Sequence, residues 1–396
     1  MSFKDFFPKK ADCFEIDRFS PEALAHLPYS KETELKNNAI TQMLKDGGIN
    51  FAPSELVLSP LPRKYRTTTK RRVFFDGRKI TLHFGKKPSK ELVASSMLEP
   101  DEHIKIYHFL QKNFSEPKNF KASSVLNYFI IRGSYTEYAL IFNVKRLSGD
   151  IVRILKSATA NVCKNFPALK NVFLYVDEKG SDYYLESERP EKGIAFKKLY
   201  GSDFLALRLN DKKFLYSPVS FSQINESILP VFFDEFKKFL NPDKNDVLLD
   251  LYCGYGLWSL TAGEMFKSAF GMELAKESIQ AAKNNAKFHF PDKNFRYETA
   301  FINQECLRSK LPAPQYKNEW ILLDPPRKGC ENGVIEYLIS RRPKKIFQLF
   351  CGADEIVPAL KIYQNNNCKI EALIPFDFFP GTLNIEMFAV ISPAQK

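Results

Sequence analysis

The sequence predicts an α/β protein in which a seven-stranded, doubly wound domain follows an α+β region. Three observations predict this fold class. From residue 222 onward, strand patterns alternate with helix patterns along the chain. The first of these strands runs into a glycine-containing turn before a helix, which is typical of doubly wound sheets. Before residue 222, short β-rich runs surround one amphipathic helix pattern, as in α+β domains.

The length and composition of the chain are compatible with several cores. With 396 residues, 44% of them hydrophobic, the chain allows two or three domains. We place an N-terminal segment at 1–53, an α+β domain at 54–221 and the doubly wound domain at 222–396. The sequence contains no repeat of fixed period and no low-complexity tract, so a solenoid is disfavoured.

The α+β domain begins with a predicted hairpin. Asp76-Gly77 lies between two β-rich runs, and this pair is typical of two-residue hairpin turns. An amphipathic helix is predicted at 150–165. The further predicted strands are 125–132, 138–145, 171–176, 204–208 and 213–217.

The doubly wound domain begins with a predicted helix at 222–240, which ends before the breaker Asn241-Pro242-Asp243. Its predicted strands are 246–251, 268–272, 294–297, 320–324, 345–350, 369–376 and 384–392. A short loop instead of a helix joins the last two strands, so we expect them to pair antiparallel.

The charge of the chain favours a polyanionic partner. Its 58 basic and 46 acidic residues give a formal charge of +12, and nucleic acid leads the list of partners. A general contribution to solubility explains the same charge equally well. The N-terminus carries charge and proline where a signal peptide is apolar, and no apolar run approaches a membrane span. We therefore expect a cytoplasmic protein without a membrane partner.

The cysteines and histidines do not form a metal-binding pattern. The seven cysteines are scattered without a C-x-x-C pair, and the five histidines lack H-x-x-x-H or H-E-x-x-H spacing. We expect reduced thiols and no metal site.

A nucleoside site is predicted where the first two strands of the doubly wound domain end. After the strand that contains Asp250, the turn contains Gly254 and Gly256, and the second strand ends at Glu273, whose carboxylate suits ribose hydroxyls. A third glycine and a Lys-Ser phosphate cradle are missing, which favours S-adenosylmethionine over NAD or ATP. An ordinary structural turn remains the alternative.

Two later strands end in candidate reacting groups. The fourth is followed by Asp324-Pro325-Pro326-Arg327, in which an arginine suits contact with phosphate or a nucleobase. The fifth is followed by Cys351, and we expect the helix after it to lower the pKa of the thiol. The alternatives are a solvated turn and a core-filling cysteine.

These motifs, with Phe378 to Glu386, resemble in order and spacing the RNA uridine-5-methyltransferases of tRNA and 23S rRNA. The resemblance extends from about residue 213 to 392 and includes Ser220 to Asn225. It implies a Rossmann-like methyltransferase domain that methylates carbon 5 of a uridine with S-adenosylmethionine. Cytosine-5 enzymes are a weaker match because their Pro-Cys and Thr-Cys pairs are absent.

The resemblance assigns roles to individual residues. Cys351 is the nucleophile that adds to carbon 6, and Glu386 removes the proton from carbon 5. The predicted cofactor contacts are Gln223, Tyr252, Gly254, Gly256, Glu273 and Asp324. The target base has to leave its stack, which fits a looped or remodelled RNA.

The chain also departs from the family pattern. The family usually has Ser-Cys-Asn-Pro around its nucleophile, whereas Phe350-Cys351-Gly352-Ala353 stands here. Residues 22–39 resemble the stretch after the iron–sulfur cysteines of some members, but only Cys13 could be a remnant of the four, so we expect no iron–sulfur cluster. From its start relative to the family pattern, we expect the chain not to include the small OB-fold domain that precedes many relatives.

RNA contacts are predicted mainly in the basic run at 63–72, for which a solvated charged loop is the alternative. The predicted contacts are Arg63, Lys64, Arg66, Arg132 and Arg327. We expect a monomer. The sequence leaves open whether the substrate is tRNA or rRNA. It also leaves open whether the protein is instead an RNA-binding pseudoenzyme or a methyltransferase with another base specificity.

Overall fold

The structure is a computed structural model that describes residues 2–11, 13–85, 91–178, 180, 196–315 and 318–394. The strands are β1 (Lys10–Ala11), β2 (Phe14–Glu15), β3 (Thr69–Phe75), β4 (Ile80–His83), β5 (Leu126–Gly133), β6 (Tyr138–Val144), β7 (Leu169–Val176), β8 (Phe196–Tyr200), β9 (Leu205–Leu209), β10 (Lys212–Tyr216), β11 (Val247–Leu251), β12 (Ser268–Glu273), β13 (Asn294–Thr299), β14 (Glu319–Leu323), β15 (Lys345–Phe350), β16 (Lys369–Phe376) and β17 (Glu386–Ser392). The α-helices are α1 (Tyr29–Asp46), α2 (Asp101–Phe114), α3 (Phe120–Ser123), α4 (Gly149–Asn165), α5 (Leu229–Lys237), α6 (Leu257–Thr261), α7 (Lys276–His289), α8 (Gln304–Lys310), α9 (Val334–Ser340) and α10 (Ile356–Asn365).

Contacts between Cα atoms divide the chain into two compact units. Unit 1 consists of Met1–Arg63, Arg208–Phe214 and Ser227–Lys396. Unit 2 consists of Lys64–Leu207 and Leu215–Glu226. The N-terminal residues thus belong to the same compact unit as the C-terminal half of the chain. The division into three domains at 1–53, 54–221 and 222–396 stays a prediction.

Unit 1 contains the predicted doubly wound sheet, with strand order β13-β12-β11-β14-β15-β17-β16. The first five strands in this order run parallel, and β17 pairs antiparallel with both β15 and β16. The α/β fold class, the seven strands and the antiparallel pairing of the last two are confirmed. All five residues of β11 are buried, as expected for a central strand with both faces covered.

The helix predicted at 222–240 is shorter in the structure. A 3₁₀ turn covers Glu226–Ile228, and α5 spans Leu229–Lys237. Pro230 lies in the first turn of α5, where its missing N–H removes no helical hydrogen bond. Residues 222–225 precede this start, and Asn225 instead forms an isolated bridge with Arg66. The prediction extended the helix too far at both ends.

The N-terminal residues pack into unit 1. The buried face of α1 contributes Leu35, Ala39, Ile40 and Met43 to the same core cluster as Leu249 of β11. Farther along, residues 54–57 lie against the edge strand β16, where the N–H of Val57 donates to the carbonyl of Pro375 at 2.8 Å. This contact covers a sheet edge that would otherwise expose unpaired backbone groups.

Unit 2 is built on a six-stranded sheet with order β4-β3-β5-β6-β7-β8. Its pairs are antiparallel except β6 with β7, which run parallel because α4 connects them as a crossover. The predicted helix and strands of this region are confirmed, and β8 is an additional strand. The hairpin turn lies one residue later than predicted, because Asp76 and Lys79 flank it and the N–H of Asp76 donates to the carbonyl of Lys79.

Among the described residues, no helix is long and apolar enough to cross a membrane. Within the same part of the chain, no group of three or more His, Cys, Asp or Glu side chains could hold a metal ion.

Candidate functional site

Four parallel strands of unit 1 deliver polar residues to one edge of the sheet. The carboxyl ends of β11, β12, β14 and β15 lie side by side, as the registers Leu251 to Met272 and Leu251 to Leu323 require. These ends carry the predicted site residues Tyr252, Glu273, Asp324 and Cys351. Ligands of open α/β sheets bind outside this edge, so the fold itself brings these residues together.

The turn after β11 has a strained backbone that faces open space. Tyr252, Gly254 and Gly256 all have positive φ angles, of 65°, 53° and 81°. No described atom lies within 4 Å of the position that a Cβ on Gly254 would take. The turn therefore exposes its backbone to a ligand, and a side chain at Gly254 would occupy part of that space.

Glu273 is held against this turn. Its Oε2 accepts a hydrogen bond from the N–H of Gly254 at 3.4 Å, and its Oε1 accepts one from the N–H of Ala275 at 2.9 Å. The side chain is half-buried. Both oxygens can still accept from ribose hydroxyls, because each carboxylate oxygen has two acceptor positions.

Asp250 lies below the turn and has an unused acceptor. The N–H of Ser259 donates to its Oδ2 at 3.2 Å, whereas its buried Oδ1 has no hydrogen-bond partner among the described residues. Burial raises the pKa of Asp250 to about 7. Asp250 is 0% exposed, so its side chain supports the start of α6 through Ser259 and offers no accessible acceptor to a ligand.

Asp324 accepts hydrogen bonds from two side chains of the site, Trp258 and Cys351. The indole N–H of Trp258 donates to its Oδ2 at 2.9 Å, and the thiol of Cys351 donates to its Oδ1 at 3.1 Å. Burial raises the pKa of Asp324 to about 6, although both hydrogen bonds lower it. Trp258 was not among the predicted site residues, because nothing in the sequence near it indicates which carboxylate it meets.

The environment of Cys351 corrects one expectation. Burial raises the pKa of its thiol well above the ordinary value, and Asp324 and Glu386 raise it further. Arg327 acts in the opposite direction. The predicted lowering by the following helix is wrong, because a 3₁₀ turn at Ala353–Glu355 separates Cys351 from α10 and the two carboxyl groups outweigh any effect of the helix end.

Glu386 is the first residue of β17, and its side chain is only 2% exposed. Its Oε2 is buried and has no hydrogen-bond partner in the part of the chain that the structure describes. Burial raises the pKa of this carboxyl well above its usual range, and a contact with Cys351 opposes the rise. At this edge of the sheet, the thiol of Cys351 therefore lies close to the carboxyl group of Glu386, whose Oε2 has no hydrogen-bond partner among the described residues.

Close packing explains the glycine that follows Cys351. A Cβ on Gly352 would lie 2.1 Å from the carbonyl oxygen of Arg327, so only glycine allows this approach. The exposed Arg327 guanidinium lies over the ring of Phe379, 5.6 Å from its centroid. Gly352 departs from the family pattern, and it lets the Asp-Pro-Pro-Arg loop lie directly against the cysteine.

Three further predicted residues are described within their own units. Gln223 belongs to unit 2, where it is buried and its carbonyl accepts from the hydroxyl of Thr67 at 3.4 Å. Arg132, also in unit 2, is 1% exposed and donates to the carbonyl of Ser220 at 2.8 Å. Arg63 in unit 1 donates to the carbonyl of Ala25 at 2.8 Å. The guanidinium groups of Arg63 and Arg132 are therefore engaged within the protein.

Two other predicted RNA contacts lie in unit 2. Lys64 is exposed and forms an ion pair with Asp101 at 2.6 Å. Arg66 is half-buried, and its N–H donates to the carbonyl of Leu98 at 3.0 Å. An exposed ion pair of this kind is weak, so the ammonium group of Lys64 can exchange its partner for a phosphate.

Known proteins resemble this chain in sequence and in fold. A family model described as tRNA (Uracil-5-)-methyltransferase matches residues 187–392, more than half of the chain. An uncharacterized RNA methyltransferase from Oceanobacillus iheyensis is 29% identical over 67% of this chain and 56% of its own length. One from Lactobacillus johnsonii is 29% identical over 94% of this chain and 82% of its own length.

A solved structure shares the fold over nearly the whole chain. The tRNA (uracil-54, C5)-methyltransferase of Pyrococcus abyssi, in complex with S-adenosyl-L-homocysteine, superposes with a TM-score of 0.70. The match covers 93% of this chain and 85% of that one, at 20% sequence identity.

Proposed function

This chain belongs to the tRNA (uracil-5-)-methyltransferase family, and from that premise we propose that it methylates carbon 5 of a uridine in tRNA or 23S rRNA through a covalent adduct of Cys351. The observation that carries the proposal is the cluster of Cys351, Asp324 and Glu386. A thiol, its hydrogen-bonded carboxylate and a second carboxyl group with a free acceptor meet at the ligand-binding edge of the sheet.

The residues around the glycine turn suit the cofactor. S-adenosylmethionine supplies an electrophilic methyl group on a sulfonium and leaves as S-adenosylhomocysteine. The open space at Gly254 and the half-buried carboxylate of Glu273 fit a bound nucleoside. We assign the ribose hydroxyls to Glu273 and further cofactor contacts to Tyr252, Gly254, Gly256 and Asp324. Gln223 belongs to unit 2 and is left out of this assignment.

Cys351 begins the reaction on the base. Carbon 5 of uracil is a poor nucleophile, so the sulfur first forms a bond to carbon 6 and the electron pair of the C5–C6 double bond moves toward oxygen 4. The thiol proton must leave as this bond forms. Asp324 is the acceptor to which the thiol already donates, so we assign it that proton. Carbon 5 of the enolate then takes the methyl group.

Glu386 completes the reaction. Carbon 5 now carries both a methyl group and a proton, and the carboxylate removes the proton. The C–H electron pair restores the C5–C6 double bond, the C6–S bond breaks and Cys351 leaves as a thiolate. Because burial raises the pKa of Glu386, its ionised form is a stronger base than an exposed carboxylate.

The target uridine has to reach these groups outside its stack. We propose that Arg327 and Phe379 contact the extruded nucleotide and that Lys64 and Arg66 contact the RNA backbone. Arg63 and Arg132 are left out, because their guanidinium groups are engaged within the protein. We further propose that the protein acts as a monomer in the cytoplasm, which light scattering and cell fractionation test.

Nucleoside mass spectrometry tests the function directly. Unmodified tRNA and rRNA are incubated with labelled S-adenosylmethionine and the purified protein, with Cys351→Ala and Glu386→Gln as controls. We expect 5-methyluridine with the wild type alone, in tRNA first because the family and the Pyrococcus abyssi enzyme carry that name. Label in another nucleoside, or cofactor binding without transfer, contradicts the proposal and favours another base specificity or a pseudoenzyme.

A further inference from the structure

A buried ion network connects the N-terminal helix to the loop that leads to Glu386. Lys36 of α1 is fully buried, and its Nζ donates to Oε1 of Glu32 at 2.8 Å and to Oδ1 of Asp377 at 2.7 Å. It donates a third hydrogen bond, of 3.2 Å, to the carbonyl of Phe379. All three donor positions of the ammonium group are thus used, two of them by the loop.

Other side-chain and backbone groups of the N-terminal residues bind the same loop. Glu32 accepts a hydrogen bond from the N–H of Gly381, and the N–H of Leu24 donates to the carbonyl of Gly381 at 3.0 Å. The hydroxyl of Tyr29 donates to Oδ2 of Asp377 at 3.1 Å. The loop is therefore fixed at three of its residues by partners that lie more than 340 positions earlier in the sequence.

The position of this loop matters for the proposed reaction. Residues 377–385 connect β16 to β17 and contain no helix or strand. Local hydrogen bonds join Thr382 to Phe379 and to Asn384. The contacts from the N-terminal residues add to them at Asp377, Phe379 and Gly381. The loop carries Phe379, which lies under Arg327, and it ends directly before Glu386. A shift of the loop would move both the proposed base and the side chain that we assign to the target nucleotide.

The charges of the network balance, but balance alone does not explain why it is buried. Glu32 and Asp377 face Lys36, and the guanidinium of Arg63 pairs with Glu32 at 3.1 Å. Apolar residues of the same volume often stabilise a core as well as a buried ion pair does. The ion network instead adds conformational specificity, because each hydrogen bond has a defined partner and geometry.

The N-terminus also contacts the other side of the site. The N–H of Phe3 donates to Oδ1 of Asp354 at 2.6 Å, and the hydroxyl of Ser2 donates to Oδ2 at 3.1 Å. Asp354 lies three residues after Cys351. The N-terminal residues are thus bonded to the segments that follow the proposed nucleophile and precede the proposed base.

We propose that Lys36 is a positioning residue, which holds the loop 377–385 so that Glu386 and Phe379 meet the target base in the productive geometry. The inference rests on the proposed function. Displacements of about 1 Å in a catalytic group can lower rates by as much as about 100-fold, so a distant buried lysine can control the reaction.

Lys36→Met tests the proposal, because it removes the charge and keeps most of the side-chain volume. We expect kcat to fall about 10- to 100-fold, while the Kd for S-adenosylmethionine changes less than about 3-fold. Proton removal should be the slowed step. Methylated RNA should therefore stay bonded to Cys351 and accumulate as a slowly migrating band in a denaturing gel.

Arg341→Met is the matched control. Arg341 and Glu319 form another buried ion pair of unit 1, at 2.6 Å, at the opposite end of β14 from Asp324. We expect this variant to lose comparable thermal stability without accumulating the adduct. If both variants accumulate it equally, or if neither does, Lys36 has only a structural role and the proposal is overturned.

Asp377→Asn covers the case in which Lys36→Met does not fold. This variant keeps the shape of the loop residue and weakens its bond to Lys36, so the same adduct should accumulate to a smaller extent. Its absence from a folded Asp377→Asn protein rejects the proposal. The proposed function fails separately, since in that case the wild type itself forms no 5-methyluridine and no adduct that depends on Cys351.

Discussion

At the scale of single residues, the site depends on how closely its backbone segments approach each other. The loop that carries Asp324 and Arg327 lies against the residue that follows Cys351, and a hydrogen bond joins the thiol to Asp324. Neither contact is visible in the sequence, where 27 positions separate the two side chains. Both lead to measurable expectations.

Gly352→Ala should lower the stability and the activity of the enzyme more than alanine does at a glycine with open space around it. Its Cβ would lie 2.1 Å from the carbonyl oxygen of Arg327, so the loop has to move away from Cys351. We expect a loss of roughly 1 to 3 kcal/mol in the free energy of unfolding and at least about a 10-fold loss of activity. Thermal unfolding and 5-methyluridine formation measure the two effects.

Gly149→Ala is the control for this substitution. Gly149 is the first residue of α4, and no described atom lies within 4 Å of its Cβ position. Alanine has the higher helix propensity, so this variant should keep its stability and activity. Equal behaviour of the two variants would show that the approach of the loop to Gly352 is unimportant.

The pH dependence of the reaction follows from the raised pKa values of Cys351 and Glu386. In the proposed reaction, Glu386 has to be deprotonated and Cys351 has to lose its proton to Asp324, and a raised pKa makes the loss of a proton from either group less favourable at a given pH. The single-turnover rate of 5-methyluridine formation should therefore rise with pH from about 6 to about 9. A rate that is constant or falls over this range, with RNA binding unchanged, contradicts these assignments.

At the scale of secondary-structure elements, β11 is the central support of the site. Both faces of the strand are buried. It pairs with β12, which ends in Glu273, and with β14, which is followed directly by Asp324. Its buried apolar residues anchor the glycine turn that directly follows the strand. Damage to this strand should therefore reduce the stability of the whole of unit 1.

Leu249→Ala tests that expectation. Leu249 is 1% exposed, and truncation of a buried leucine leaves a cavity that costs about 2 to 5 kcal/mol. We expect a clear fall in the midpoint of thermal or urea unfolding. Leu58→Ala, at a position that is 51% exposed, should change the midpoint little. Similar losses for both variants would mean that β11 is not the support that its burial indicates.

At the scale of the whole molecule, two compact units share a chain with a formal charge of +12. The edge at which we propose cofactor binding belongs to unit 1, whereas the exposed Lys64 belongs to unit 2. A polyanionic substrate gains affinity from such charge by releasing counterions.

RNA binding should therefore weaken steeply with salt. Between about 50 and 200 mM NaCl, we expect the affinity for tRNA to fall by roughly 10-fold or more. The affinity for S-adenosylmethionine should change far less, because the cofactor site that we propose lies at the glycine turn of unit 1. Filter binding and calorimetry at several salt concentrations measure both, and a flat response of RNA binding would exclude an electrostatic contribution.

The sequence alone determined the fold class, the order of the seven strands along the chain and the edge at which Tyr252, Glu273, Asp324 and Cys351 gather. These follow from local pattern, because strand periodicity and turn residues are short-range properties and parallel strands share one carboxyl edge. The start of α5 was missed, since only the tertiary environment decides whether residues 222–225 form helix or extended chain.

Only the tertiary structure decided what surrounds the reacting groups. Burial raises the pKa of Cys351, and Asp324 and Glu386, which lie far from it in the sequence, raise it further, so the local expectation from the helix end had the wrong sign. The role of Gly352 and the network of Lys36 likewise depend on contacts between distant segments. Burial and electrostatics arise when the chain is packed, and no local pattern encodes them.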